Sequence, residues 1–348
     1  MEAHRRGDEI VGGGHARQRF HDARGYGRPL EGNEIALAPI EAAHLLYRGD
    51  LDAVDGMGFP AFFESIEAEG TGARFLAYAD LRSRGFYLAP EREGWVAEPR
   101  PDADFVVYER GADPTGGPVA HRVRAIGERA EVPVASLGDV TLAIADEEGS
   151  VTYFETAERG IEGATECDPP AVEGHLLSDR VLIPDPPGEL YERGFYGQPV
   201  GGHQEGDAIQ LSLVEAAFLN REGSLSLDGE SPGEETTSGA VEARGRSAEG
   251  EHFDRRLTVY VALRREGVVP KTGFKFGADF RTYREVTTVD DLAHSEALVW
   301  VLPAGYAFEP RELALYVRLA GGVRKRAVFA TVDSGSEVSW LSVDWVTP

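Results

Sequence analysis

Apolar residues recur at helical spacing in two stretches near the C-terminus. Phe253, Leu257 and Tyr260-Val261 share one face of a run that closes at Gly267, which predicts a helix from Phe253 to Gly267. A second run begins at Pro310, a residue suited to a first turn. It carries Leu313, Tyr316 and Val317 and breaks at Gly321-Gly322. The pattern then changes to that of strands, over Ala327 to Val332 and, with rough alternation, Val338 to Trp345. Two shorter helices are expected around Ile40/Ala43/Leu46 and Val214/Ala217/Leu219. Glu158 to Val172, with Asp168-Pro169-Pro170, reads as a linker. Asp228 to Gly250, rich in Gly, Glu and Ser, reads as an internal loop.

These elements occur twice. Arg24-Gly25-Tyr26-Gly27-Arg28-Pro29 is echoed by Arg193-Gly194-Phe195-Tyr196-Gly197-Gln198-Pro199, and the stretch around Glu41 by that around Glu215, half a chain later. Tyr78 to Gly85 matches Tyr260 to Gly267, and Asp104-Phe105-Val106-Val107-Tyr108 matches Asp279-Phe280-Arg281-Thr282-Tyr283. Four ordered matches indicate an internal duplication. The expected architecture is α/β (α+β), each repeat an N-terminal α/β subdomain followed by a mixed-sheet subdomain flanked by helices. The corresponding boundaries are 1–69, 70–157, a linker at 158–171, 172–252 and 253–348.

Composition narrows the class. No segment approaches 18 consecutive apolar residues, so no membrane span is expected. The first residues lack the apolar core of a secretory signal. Cys167 is the single cysteine, which leaves no disulfide scaffold or thiolate zinc site within one chain. A cytoplasmic protein is expected. The net charge of −25 argues at first against nucleic acid. Lysine, however, occurs only at Lys271, Lys275 and Lys325, beside abundant arginine, and that bias fits molar salt. Near 1 M salt the Debye length is only ~3 Å, so distant carboxylates scarcely repel a phosphate.

Scarce lysine marks places where an ammonium group is hard to replace. Tyr283, His294 and Lys325 together supply a phenol, an imidazole and an ammonium, enough for metal-free RNA cleavage by the adjacent 2′-hydroxyl. Histidine, with a free pKa of ~6.5, suits the acid that protonates the departing 5′-oxygen. Lysine suits stabilisation of charge on phosphorus. A phenol, at ~10, serves as base only with cations nearby. Taken singly, Tyr283 also fits a buried structural tyrosine, His294 a surface histidine, and Lys325 a solvated strand edge. Aligning the strands puts Lys325 on Gly138 and Arg324 on Leu137. The first repeat keeps Tyr108 and has His121 at a looser spacing, yet lacks the ammonium. Only the second repeat is expected to be chemically competent.

Here the chain resembles the archaeal tRNA-splicing endonuclease family, in its fused two-repeat form. The residues that carry the resemblance are Val259-Tyr260, Leu263-Arg264, Gly267, Lys271 to Phe280, Tyr283, His294-Ser295-Glu296, and Val317-Arg318 to Val323-Arg324-Lys325. It implies a homodimer acting on precursor tRNA at a bulge–helix–bulge, with neither cofactor nor metal, and with no DNA or membrane partner. Tyr283 would be the general base, His294 the general acid and Lys325 the transition-state stabiliser. Arg318 falls where the family grips a bulged base by cation–π contact. The usual second arginine is replaced by Trp340, which suits either stacking on a base or core packing. The acidic turn Asp146-Glu147-Glu148 of the first repeat would dock into a basic cleft of another copy. Two rival readings stay open: a non-catalytic RNA-binding subunit of the same fold, and a metal-dependent nuclease using Asp279 and Glu296. Neither Gly12-Gly13-Gly14 nor Gly201-Gly202 precedes the Lys-Ser/Thr pair of a phosphate loop.

Overall fold

Alternation along Phe280 to Tyr283 sends Phe280 and Thr282 to one face of a sheet and Arg281 and Tyr283 to the other. The computed structural model builds on that parity. It describes residues 1–112, 117–201, 208–227 and 235–348, with side chains left aside for 235–238. The chain divides into two compact units. One comprises Met1–Ala157, Ala307–Leu315 and Asp344–Pro348, and the other Glu158–Tyr306 and Tyr316–Val343.

In the second unit, strands Val269–Thr272, Phe280–Tyr283, Ala297–Pro303, Arg326–Val332 and Val338–Val346 lie side by side in that order. All neighbours are antiparallel except Ala297–Pro303 and Arg326–Val332, which run parallel. The helix Pro310–Gly322 lies between those two in sequence, as a parallel connection requires. Phe280, Ala297, Val299, Val301, Val328, Ala330 and Val332 join Phe253, Leu257, Tyr260 and Leu263 of the helix Glu251–Arg265 in one core. The opposite face holds Trp300 and Phe329, whose rings meet Tyr316. Ahead of this sheet stands a smaller one, of strands Gln198–Pro199, Ala208–Ser212, Arg180–Pro184, Val172–Leu176 and Leu225–Leu227, with helix Leu213–Arg221. Ser212 caps that helix, and Glu215 reaches back to the Ser212 N–H at 3.0 Å, a capping box.

The expected loop at Asp228 to Gly250 is a helix over Glu235–Glu249; residues 228–234 lie outside the described residues. Its pattern misleads because it buries little: Val241 enters the core, and Gly245 admits the Phe253 ring so closely that a Cβ there would lie 2.2 Å from it. Ion pairs of Glu242 with Arg221 and Arg246, and of Arg246 with Asp254, support the polar face.

The first unit repeats the plan. Strands Tyr87–Pro90, Phe105–Tyr108, Val119–Gly127, Thr141–Ala145 and Val151–Ala157 follow one another across its sheet, beside helix Thr71–Ser83. The duplication extends to side-chain contacts. Arg82 lies 3.8 Å from the centroid of the Tyr26 ring and Arg264 3.9 Å from that of Tyr196. Arg82 donates to Arg24 O and Arg264 to Gly194 O. Asp104 accepts from Ala125 N–H and Asp279 from Val301 N–H, each at 2.8 Å. These pairs fix Tyr26 opposite Tyr196, and therefore Gly25 opposite Phe195.

Candidate active site

Sheet register assembles the candidate residues. Thr282 pairs with Ala297, which pairs with Arg326. One step further, Glu296 N–H donates to Thr282 O at 2.9 Å and Arg326 N–H to Glu296 O at 3.0 Å. Tyr283, Glu296 and Lys325 thus continue the rows at one end of the sheet. Two strand spacings separate the backbones of Tyr283 and Lys325, roughly 10 Å. Both share the face of Arg281, whose guanidinium lies 5.7 Å from the centroid of the Tyr283 ring.

Lys325 is placed by a helix ending. Arg324 N–H donates to Gly321 O and Lys325 N–H to Ala320 O, the paired bonds of a Schellman motif. Arg324 occupies the left-handed position at φ +58° where glycine is usual; for a residue with a Cβ this costs roughly 1 kcal/mol. Lys325 Nζ donates to Ser295 O at 2.5 Å and stands 5.8 Å from the centroid of the Phe276 ring. Burial, then the Arg281 charge, hold the Lys325 ammonium below its ordinary pKa. His294, itself exposed, precedes the buried Ser295 in a segment without regular structure. The Lys325–Ser295 bond therefore ties the backbone beside the imidazole to the ammonium. Tyr283 is buried with Val269, Val286 and Phe195.

The first repeat differs as its register dictates. Val123 pairs with Phe105 and Thr141 where Val299 pairs with Phe280 and Val328. Lys325 therefore corresponds to Gly138 and Tyr283 to Tyr108. His121 corresponds to Ala297, not to His294. It lies within a strand, where its Nδ1 is 3.1 Å from Thr141 Oγ1. The looser histidine spacing noted in the sequence reflects a different place in the fold.

Of the other expected residues, Arg318 is exposed on helix Pro310–Gly322. Trp340 pairs with Ala330, packs against the main core, and would meet a Cβ on Gly160 at 3.3 Å. It thus lies on the face opposite Lys325, partly buried against core residues. Asp146, Glu147 and Glu148 form a tight turn in which Asp146 Oδ1 accepts from the N–H groups of Glu148 and Ser150. Arg129 pairs with Glu147. Asp279, one acid of the metal-dependent alternative, is already engaged: its carboxylate also meets His252 at 2.8 Å and Arg256 at 3.3 Å. Sequence reasoning passed over Phe195 and Arg281, which lie against Tyr283; Lys271, noted for its rarity and as part of the resemblance, supports Phe195.

The chain is thus a duplicated α/β protein in which one repeat brings a phenol, an imidazole-bearing segment and an ammonium to one end of a sheet, while the other has Gly138 where the ammonium stands. The tRNA intron endonuclease catalytic C-terminal domain matches residues 253–340, and the tRNA intron endonuclease N-terminal domain matches residues 1–63 and 172–237. A tRNA-splicing endonuclease of Halobacterium salinarum is 56% identical over the whole of both chains. One of Haloarcula marismortui is 53% identical, again over the whole of both. One of Methanosarcina mazei is 34% identical over 97% of this chain and 96% of its own. The chain belongs to the tRNA intron endonuclease family, and is thereby an enzyme of the tRNA-intron lyase class. Among the described residues no helix is long and apolar enough to cross a membrane.

Proposed function

We propose that this protein excises introns from precursor tRNA by cutting at a bulge–helix–bulge, using the 2′-hydroxyl as nucleophile and no metal. Tyr283 takes the 2′-hydroxyl proton while Arg281, 5.7 Å from the centroid of its ring, offsets the developing negative charge. Lys325 stabilises the five-coordinate phosphorus, and His294 protonates the leaving 5′-oxygen. The products are a 2′,3′-cyclic phosphate and a 5′-hydroxyl. Proton and leaving group balance without a co-reactant, since the base gains the proton that the 2′-oxygen loses and the acid supplies one to the 5′-oxygen.

The observation that carries the reading is the common face of Tyr283 and Lys325, with the His294 segment tied to Lys325 through Ser295. Gly138 at the corresponding place in the first repeat supports one reaction centre per chain. A homodimer then supplies two cuts. In it the turn Asp146-Glu147-Glu148 docks against a basic cleft of the second copy, and Arg318 grips a bulged base. Shape rather than base sequence would direct recognition.

The test is cleavage of a synthetic bulged precursor in molar salt with excess chelator, by the wild type and by Tyr283→Phe, His294→Ala and Lys325→Ala. Intact cutting by the wild type with cyclic-phosphate ends, and severe loss in each variant, is expected. Chelator-sensitive cutting, or unchanged cutting in His294→Ala, would overturn the mechanism.

A further inference from the structure

Lys271 is one of three lysines in the chain and takes no part in the mechanism above. It is buried, and its ammonium has three donors. All three are used: Glu215 Oε1 at 2.7 Å, Gly197 O at 2.9 Å and Phe195 O at 3.1 Å. Phe195 itself stands in the left-handed region at φ +50°, a conformation a phenylalanine adopts only when its surroundings impose it. Its N–H donates to Tyr191 O. The ammonium lies 4.7 Å from the centroid of its ring. The ring meets Tyr191 edge-on at 5.7 Å and Tyr283 edge-on at 5.5 Å.

The first repeat provides an internal control. Gly25 stands where the second repeat has Phe195, Ala89 where it has Lys271, and Tyr87 where it has Val269, by the sheet registers. A Cβ on Gly25 would lie 2.7 Å from the Tyr87 ring, so in that repeat the strand's own tyrosine fills the space. The repeat without an ammonium at Gly138 therefore also lacks the lysine and the loop phenylalanine. The capping glutamate is kept in both: Glu41 accepts from Gly27 N–H as Glu215 does from Gly197 N–H. Three differences occur together around one tyrosine, and the cap does not require them.

We infer that Phe195, locked by Lys271, is a positioning residue that fixes the orientation of the Tyr283 side chain for cleavage. Tyr283 is the last residue of its strand, so the sheet holds its backbone on one side only. Val269 and Val286 supply the apolar floor, Arg281 the charge, and the Phe195 ring the wall that restricts the phenol's rotation. The inference rests on the reading of Tyr283 as general base. It adds that the N-terminal subdomain of the second repeat, through its Phe195 loop, is part of the catalytic apparatus.

The experiment is single-turnover cleavage of precursor tRNA at saturating full-length protein, with RNA affinity and thermal unfolding measured in parallel. Phe195→Ala is expected to unfold cooperatively and bind RNA like the wild type, and to cleave on the order of 10²-fold more slowly, as a misplaced reacting group does. Phe195→Leu, which restores bulk, is expected to recover most of the rate. A folded Phe195→Ala that cleaves at the wild-type rate overturns the inference, as does loss of affinity without loss of saturated rate. Should Phe195→Ala not fold, Phe195→Gly, which removes the ring and suits the left-handed backbone as Gly25 does in the first repeat, takes its place with the same two outcomes. Tyr283→Phe is measured alongside. Its inactivity with a fully active Phe195→Ala defeats only the positioning role, whereas a fully active Tyr283→Phe defeats the base assignment and this inference with it.

Discussion

Lys325 Nζ donates to the carbonyl oxygen of Ser295 at 2.5 Å, joining the end of helix Pro310–Gly322 to the segment that presents His294. The bond thus ties the Lys325 ammonium to the backbone beside His294. Lys325→Ala is expected to lower saturated cleavage by roughly 10²–10³-fold, the usual loss for one electrostatic stabiliser, with precursor binding nearly unchanged. Hydrogen exchange at Ser295 and Glu296 should quicken in the same variant. Unaltered exchange there would show that the bond does not order the segment.

Helix glycines offer a test of packing with opposite signs. Gly239 has open space where a Cβ would stand, whereas at Gly245 it would lie 2.2 Å from the Phe253 ring. Gly239→Ala should stabilise by about 0.5–1 kcal/mol through helix propensity. Gly245→Ala should destabilise, by roughly 1–3 kcal/mol, because a buried ring must move. Denaturant midpoints at fixed molar salt distinguish them; stabilisation by both would refute the close approach of Gly245 to Phe253.

The first repeat should carry two opposed pH dependences. Burial, reinforced by the Arg82 and Arg48 charges, lowers His44 to about 4, and burial raises Glu41 to about 7 against its backbone hydrogen bonds. For His44 the unfolded chain binds the proton first, so stability is lost as pH falls from about 6.5 towards 4. For Glu41 the folded chain binds it first, so the contribution is complete below about 4.5 and lost as pH rises through 7. His44→Phe, which installs the residue type of Phe218 in the second repeat, should gain on the wild type as pH falls, by on the order of 2–3 kcal/mol. The stability gap between wild type and Glu41→Gln should shrink as pH rises from 4.5 to 7. Parallel stability curves for either variant and the wild type would remove that group from the account.

Arg318 is exposed on the helix that ends at Lys325. Arg318→Ala should weaken precursor binding by about 1–3 kcal/mol, the range of a lost stacking contact to one base, and leave the melting temperature unchanged. Trp340→Ala should do the reverse. Its indole is partly buried against the core, so the fold should lose roughly 1–3 kcal/mol. Titration of a bulged RNA alongside thermal melts separates the two effects.

Much of this was legible in the chain because local rules carried it. Helical spacing from Phe253 to Gly267 and from Pro310 to Gly321-Gly322 anticipated Glu251–Arg265 and Pro310–Gly322 to within two residues. The aligned strands put Lys325 on Gly138, and the sheet registers give the same pairing. Failures arose where composition stood in for packing. Glu235–Glu249 looked like a loop because its contact with Phe253 depends on an absent side chain, that of Gly245.

By itself the sequence determined the duplication, the strand and helix periods, and the loss of one ammonium from the first repeat. These are properties of residue order, and periods of 2 and 3.6 express them locally. Only tertiary structure decided that Trp340 faces the core, that His121 corresponds to Ala297, and that a loop phenylalanine meets Tyr283. Those facts depend on which strands become neighbours and in what register. A shift of one residue would reverse every face, and the register is set by contacts between residues far apart in the chain.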